Sequence, residues 1–126
     1  MHELAVCRSL LDEVERVAVL HGARRVERVL VAIGPLAGID SGLLGRAFEV
    51  ARAGTIAAEA AFAVETMPVV VRCAACEVDS TVPANAMLCA RCGDWRVELL
   101  SGDELLLKSV ELELESRPQP QRPAAA

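Results

Sequence analysis

Aromatic residues are scarce in this sequence, which has one tryptophan, two phenylalanines and no tyrosine among 126 residues. Because 53% of the chain is nevertheless apolar, we expect a core of valine, leucine, isoleucine and alanine. Long apolar runs are also lacking, since the longest uncharged one, residues 29–39, contains Gly34 and Pro35. It is well short of the roughly 18 residues of a membrane span, so no membrane association is expected.

An excess of basic residues is missing too, since the formal net charge is −5 at pH 7. This acidic balance argues against nucleic acids and anionic membranes as partners. A signal peptide is not indicated, because the N-terminus has no basic region and its acidic residues begin at Glu3. We therefore expect a cytoplasmic protein.

Histidine is limited to His2 and His21, which excludes a catalytic metal site built from several histidines. No glycine-rich phosphate-binding loop, paired-carboxylate arrangement or activated nucleophile stands out in the chain. The sequence therefore predicts a protein that is not an enzyme.

Cysteine, by contrast, follows a clear pattern. Two Cys-x-x-Cys pairs are separated by twelve residues, which is the spacing of a four-thiolate zinc site. The candidate zinc ligands are Cys73, Cys76, Cys89 and Cys92. A site closed by four thiolates has no open coordination position, so the spacing predicts a structural zinc ion rather than a catalytic one.

A thiol redox centre is the alternative interpretation of these cysteines. It is the weaker one, because a thioredoxin-like site uses a single pair beside a βαβ unit. The fifth cysteine, Cys7, lies in the apolar stripe of a predicted helix and is interpreted as a small core residue. A single cysteine outside the pairs suits a reducing compartment better than a disulfide framework.

Hydrophobic periodicity predicts an α+β fold with two helices and a small mixed sheet. Helices are predicted at 3–21 and from Asp40 or Ser41 to Gly54, and strands at 26–33, 60–66 and 104–115. The first helix has an apolar stripe with 3-4 spacing, formed by Leu4, Cys7, Leu11, Val14 and Ala18. In the last strand, Val110, Leu112 and Leu114 alternate with glutamates, which predicts one buried and one wet face.

The cysteine segment interrupts this α/β pattern, with strand-like residues on each side of it. We therefore expect an inserted zinc-ribbon-like domain at 69–100, within an N-terminal domain that comprises 1–68 and 101–115. Residues 116–126 are rich in proline, glutamine and alanine without periodicity, which predicts a disordered tail.

The N-terminal Met1-His2-Glu3 allows a specific metal site. The free α-amine, the His2 backbone nitrogen and the His2 imidazole can close two fused chelate rings on one ion, and Glu3 can complete four positions. Four nitrogen-type ligands in a plane suit Ni(II) or Cu(II). Any Met-His start satisfies this pattern, so an ordinary exposed His2 is the alternative at this point.

The chain resembles the HypA/HybF family of nickel metallochaperones in [NiFe]-hydrogenase maturation. The resemblance covers about residues 1–115 and rests on the two cysteine pairs together with several short segments. These segments are Met1-His2-Glu3-Leu4, His21-Gly22-Ala23, Val31-Ala32-Ile33-Gly34, Ala47-Phe48-Glu49, Gly54-Thr55, Leu99-Leu100-Ser101-Gly102 and Lys108-Ser109.

The resemblance implies a nickel-binding α/β domain with an inserted zinc domain. It implies that His2 binds nickel, with Met1 and Glu3 beside it, and that the four paired cysteines bind zinc. It also implies a HypB-type GTPase and the hydrogenase large subunit as partners, with urease served in some organisms, and it leaves room for a homodimer. Asp40 is a further candidate oxygen ligand, although helix capping alone explains an aspartate there.

The main alternative function is a zinc-ribbon adaptor that mediates protein contacts without nickel delivery. The two hypotheses differ in one property, because only the nickel carrier requires an unmodified N-terminal amine and His2.

Overall fold

The structure is a computed structural model and describes residues 3–115. In chain order its elements are α1 (Glu3–Leu20), β1 (Ala23–Ile33), α2 (Ser41–Ala51), β2 (Ala61–Thr66), β3 (Val69–Cys73), β4 (Asp79–Val82), β5 (Val97–Ser101) and β6 (Leu105–Leu114). Predictions for Met1, His2 and the tail at 116–126 lie outside the described residues. Neither helix in the described part is long and apolar enough to span a bilayer.

Helix α1 buries one apolar face against the first sheet. Its buried residues are Val6, Cys7, Leu10, Leu11, Val14 and Ala18. Leu4, predicted in this stripe, is 39% exposed, because the buried face at this end is centred nearer Val6. The helix was predicted at 3–21 and ends at Leu20. The His21 ring lies 2.9 Å from the Val17 carbonyl oxygen, and Gly22 adopts a φ of 66° directly after the helix.

The first sheet is mixed, as predicted, with strand order β2-β1-β6. Strand β2 runs parallel to β1, which requires the crossover that α2 supplies, and β6 runs antiparallel to β1. Val29 and Val31 of β1 are fully buried in the same core as α1 and α2. Phe48 of α2 stacks on Phe62 of β2 with ring centroids 4.4 Å apart, so two of the three aromatic residues lie in this core.

Strand β6 departs from the simple alternation that its sequence predicts. Leu114 was expected on the buried face and is 50% exposed. The register between β1 and β6 shifts between Ala23 and Arg25, which changes the alternation at this end. Glu113 lies nearby, with its carboxylate 2.5 Å from the Arg25 Nε and 3.5 Å from the Arg24 Nε.

The second sheet is antiparallel, with strand order β4-β3-β5. Its small core contains the buried Val69, Val71 and Val82, with Leu36 packed against them. Strand β4 was not predicted, because Asp-Ser-Thr-Val has little apolar content and only one of its four residues is buried. The chain leaves the first sheet after β2 and returns to it as β6, on the other side of β1.

The two sheets meet where the segment after β1 passes the turn before β6. The Leu36 backbone N–H donates to the Gly102 carbonyl oxygen at 2.8 Å, and the Gly34 N–H donates to the Glu104 carbonyl oxygen at 2.9 Å. A Cβ atom on Gly34 would lie 2.0 Å from the Gly102 oxygen. Only glycine therefore allows this close approach of two backbones.

We expect Gly34→Ala to lower the free energy of unfolding by about 3 kcal/mol, because the added methyl group must separate the two backbone segments. Gly45→Ala is the matched control. A Cβ atom on Gly45 meets nothing within 4 Å, and alanine in a helix should raise stability by up to about 1 kcal/mol. Urea denaturation of both variants would measure the difference, and equal stability of the two would contradict the close-approach argument.

Candidate metal centre

Four cysteine sulfurs converge at one end of the second sheet. The Sγ atoms of Cys73, Cys76, Cys89 and Cys92 all lie within 4.8 Å of one another. Cys73 is the last residue of β3, Cys76 lies in the turn between β3 and β4, and the second pair lies in the segment between β4 and β5. The sheet therefore brings together two turns that are separated by twelve residues in the sequence.

The first turn is closed by hydrogen bonds around Cys73. The Glu77 N–H donates to the Cys73 carbonyl oxygen at 2.9 Å, and the Cys76 N–H donates to the Cys73 Sγ at 3.3 Å. The chain leaves this turn through Glu77, whose φ is 59°. No other non-glycine residue in the range 3–115 has a positive φ.

The second turn repeats the first. The Gly93 N–H donates to the Cys89 carbonyl oxygen at 2.8 Å, and the Cys92 N–H donates to the Cys89 Sγ at 3.4 Å. Gly93, directly after the second cysteine pair, has a φ of 79°, which glycine adopts without strain. The two turns thus present their sulfurs in the same way.

The spacing of the sulfurs fits a tetrahedral zinc ion. Zinc–sulfur bonds of about 2.3 Å place neighbouring sulfurs of a tetrahedron about 3.8 Å apart. The Cys73 and Cys92 Sγ atoms are 3.7 Å apart. Four thiolates at these positions would leave no coordination position for a substrate.

The thiol pKa values differ within the cluster. Two backbone amides, those of Cys92 and Arg91, donate to the Cys89 sulfur and lower the pKa of Cys89 to about 6. Hydrogen bonding to the Cys92 sulfur, together with burial, raises the pKa of Cys76 to about 12. Four thiolates so close together repel one another, so a cation is needed to ionise all four.

Asp94 stabilises the second turn from outside. Its Oδ1 accepts the Arg96 N–H at 2.8 Å, and its Oδ2 lies 2.8 Å from the Arg96 guanidinium. These contacts with Arg96 lower the pKa of Asp94 to about 2. The neighbouring Trp95 is 74% exposed. The sequence analysis assigned it no function, although a single tryptophan close to the second cysteine pair could have indicated a binding surface.

The structure also places Glu3 beside Asp40. The Asp40 Oδ1 accepts the Leu43 N–H at 2.9 Å, which confirms the predicted cap of α2. The Glu3 carboxylate accepts the Asp40 backbone N–H at 3.4 Å. The first described residue of α1 therefore lies next to the N-terminus of α2, and sequence reasoning named both residues without predicting their contact. The proposed ligands on Met1 and His2 lie outside the described residues.

Cys7 lies apart from the sulfur cluster, in the core of the first sheet. Its side chain is fully buried, and its Sγ donates to the Leu44 carbonyl oxygen at 3.4 Å. Burial raises the pKa of this thiol. The prediction that Cys7 is a core residue is confirmed.

Comparisons with known proteins identify similar sequences and folds. Residues 1–112 match the profile of a family described as "Hydrogenase/urease nickel incorporation, metallochaperone, hypA". The chain is 41% identical over 112 residues to hydrogenase maturation factor HypA of Nitrosospira multiformis, covering 89% of this chain and 97% of that protein. It is 36% identical over 115 residues to hydrogenase maturation factor HypA of Aquifex aeolicus, covering 91% of this chain and 100% of that protein.

Solved structures agree with the sequence matches. The solution structure of the Ni metallochaperone HypA from Helicobacter pylori superposes with a TM-score of 0.69 at 30% identity, covering 91% of this chain and 100% of that chain. A second solution structure, of a HypA protein, gives a TM-score of 0.71 at 30% identity and covers 91% of this chain and 98% of that chain. Both helices and both small sheets thus belong to a fold that is known in solution.

Proposed function

Because the chain belongs to the HypA family of metallochaperones for nickel incorporation into hydrogenase or urease, we propose that it binds Ni(II) at its N-terminus and delivers the ion to [NiFe]-hydrogenase. In an organism that makes urease, we propose that the chain also delivers nickel to that enzyme. The chain is a hydrogenase maturation factor and not an enzyme. Nickel is therefore its cargo, and no turnover chemistry is required of its residues.

The proposed nickel ligands are the Met1 α-amine, the backbone nitrogen and imidazole of His2, and Glu3. The amine, the His2 backbone nitrogen after loss of its proton, and the imidazole would form a five- and a six-membered chelate ring, and a planar nitrogen set suits Ni(II). The contact between the Glu3 carboxylate and the Asp40 backbone N–H supports the candidacy of Asp40, since it places these two residues side by side. Asp40 is the lower-ranked additional ligand, because one of its carboxylate oxygens already accepts the Leu43 amide.

We assign Cys73, Cys76, Cys89 and Cys92 to a structural Zn(II) ion. The convergence of the four sulfurs supports this assignment. The ion would link the two turns and stabilise the small second sheet. With four thiolate ligands it would have no free coordination position for an incoming ligand. We accordingly assign residues 69–100 to a zinc-binding domain, and residues 1–68 and 101–115 to the nickel-binding domain.

Release of nickel would depend on ligand exchange. A ligand from a partner would replace the Met1, His2 and Glu3 groups that hold the ion. A HypB-type GTPase and the hydrogenase large subunit are the proposed partners in this exchange. Membership of the hydrogenase maturation family is the observation that carries this proposal.

Nickel titration of untagged, zinc-loaded protein tests the proposal. We expect one Ni(II) per chain at neutral pH, measured by calorimetry together with metal analysis. The imidazole must be neutral to bind nickel, and its ordinary pKa is about 6.5. Affinity should therefore weaken as the pH falls through that value, because protons compete for the ring. It should keep rising above it, because the α-amine, with an ordinary pKa of about 7.7–8.0, and the His2 amide must also release protons to bind nickel. If zinc-loaded protein takes up no nickel at neutral pH, the carrier function is wrong and the zinc-ribbon adaptor remains.

A further inference from the structure

A groove beside the second sheet borders the cysteine cluster, and Cys73 forms part of its lining. It has a volume of about 600 Å³ and lies where β5 begins. Arg72, Glu77, Arg96 and Glu98 line it, and Trp95 stands at its side with three quarters of its surface exposed. A tryptophan with so little burial offers a large aromatic surface to a binding partner.

The groove has a free negative charge. Arg72 pairs with Asp79 at 3.0 Å, and Arg96 pairs with Asp94 at 2.8 Å, so both cations that line the groove already have an acidic partner. Glu77 and Glu98, by contrast, take part in no ion pair among residues 3–115. A cationic side chain that entered the groove would meet two unpaired carboxylates and the face of Trp95.

Strand β5 supplies a backbone surface beside this groove. Within the described residues it pairs only with β3, so it forms one edge of the sheet. Alternate N–H and C=O groups of an edge strand point away from the sheet and are available to an added strand. Leu99 and Leu100 of this strand are also exposed.

The backbone conformation of Glu77 also indicates a role for its carboxylate in the groove. It holds a φ of 59° at the position where the second turn has Gly93 with a φ of 79°. Glycine adopts this conformation without strain, whereas a residue with a Cβ atom is disfavoured there. A glutamate at this position therefore places a carboxylate in the groove at the expense of local backbone stability.

We propose that this groove and the free edge of β5 bind an extended segment of another protein that carries lysine or arginine. The segment adds a strand to β5 through backbone hydrogen bonds. One of its cationic side chains lies against Trp95 and between Glu77 and Glu98. This interaction does not depend on nickel. The second sheet provides the binding surface.

The test uses full-length, zinc-loaded protein and a short end-blocked peptide that alternates valine and lysine. Because Trp95 is the only tryptophan and the chain has no tyrosine, tryptophan fluorescence reports on the groove alone. We expect a saturable change in fluorescence with the valine–lysine peptide and none with a peptide that alternates valine and glutamate. Equal binding of both peptides, or binding of neither at millimolar concentration, would overturn the proposal.

Variants separate binding from folding, with anisotropy of a labelled valine–lysine peptide as the readout. We expect Trp95→Ala and Glu98→Lys each to weaken binding about tenfold or more. Glu49→Lys makes the same charge change at an exposed position of α2 and should leave affinity within about twofold. Glu77→Gly should weaken binding while the thermal unfolding midpoint stays equal or rises. Unchanged affinity in Glu98→Lys and Glu77→Gly would refute the site.

Two other occupants of the groove would also be detected. If the protein is a dimer that Trp95→Ala makes monomeric, a second copy of the chain occupies the groove and the proposal is wrong. If a chain ending at Glu115 binds the peptide at least tenfold more tightly, the chain's own C-terminal segment competes for the groove and the proposal is equally wrong. A monomer whose peptide affinity does not change on truncation supports an external protein segment.

Discussion

His2→Ala is expected to weaken nickel binding by at least about a hundredfold while zinc remains at one ion per chain. The substitution removes the imidazole and opens one chelate ring, and even the loss of an outer-shell partner can reduce metal affinity by up to about a hundredfold. His21→Ala is the matched control, since His21 is the other histidine and its ring contacts the Val17 carbonyl oxygen at the end of α1. It should bind nickel normally and lose only a small part of the stability of α1.

A second variant tests whether the α-amine is a nickel ligand. A single glycine placed before Met1 leaves every side chain in place but moves the α-amine out of the chelate. It should reduce nickel affinity to a similar degree as His2→Ala. Tight nickel binding by the extended chain would show that the amine is not a ligand and would move the site toward the side chains of Glu3 and Asp40. Metal analysis and calorimetry on the same samples measure both ions.

Cys89→Ser is expected to release zinc and to unfold the second sheet selectively. Structural zinc in small domains contributes on the order of 10–16 kcal/mol to the folded state at neutral pH. Without it the second sheet has only three buried residues in its core, whereas the core of the first sheet has fourteen. So small a core does not fold alone. Hydrogen exchange should therefore show lost protection in β3–β5 and retained protection in β1 and α1.

Cys7→Ser provides the control for this prediction, since it changes the one cysteine outside the cluster. It should keep one zinc ion per chain and lower stability through the buried contact with Leu44. Removing zinc from the unaltered protein with a chelator should reproduce the hydrogen-exchange pattern of Cys89→Ser. Persistent protection of β3–β5 in the zinc-free chain would contradict the structural role of the ion.

The parts of the fold that could be predicted are those in which local pattern and tertiary packing agree. The stripe around Cys7 and Val14, the Asp40 cap and the glycine after Cys92 are local signals, and the structure contains all three. The cysteine spacing was equally informative, because few arrangements other than a four-sulfur site explain two pairs at that separation. Helix α2 forms despite Gly42 and Gly45, since tertiary burial of its apolar face outweighs their low helix propensity.

The parts that could not be predicted depend on contacts between distant segments. Strand β4 is recognisable only from its pairing with β3, because its own residues are mostly polar. The exposure of Leu114 results from a register shift against β1, and no local pattern encodes the position of a β-bulge. The contact of Glu3 with Asp40 spans 37 residues. The groove at Trp95 likewise needs the strand order of the second sheet.

Both chain connections to the second sheet lie beside the end of β1. The Met67 N–H donates to the Ile33 carbonyl oxygen, and the Gly34 N–H donates to the Glu104 carbonyl oxygen. Exit and re-entry therefore lie on opposite sides of one strand, about 10 Å apart at ordinary strand spacing, and a few residues can bridge that gap. A short loop from Thr66 to Leu105 in place of the second sheet would therefore leave the strand order β2-β1-β6 unchanged.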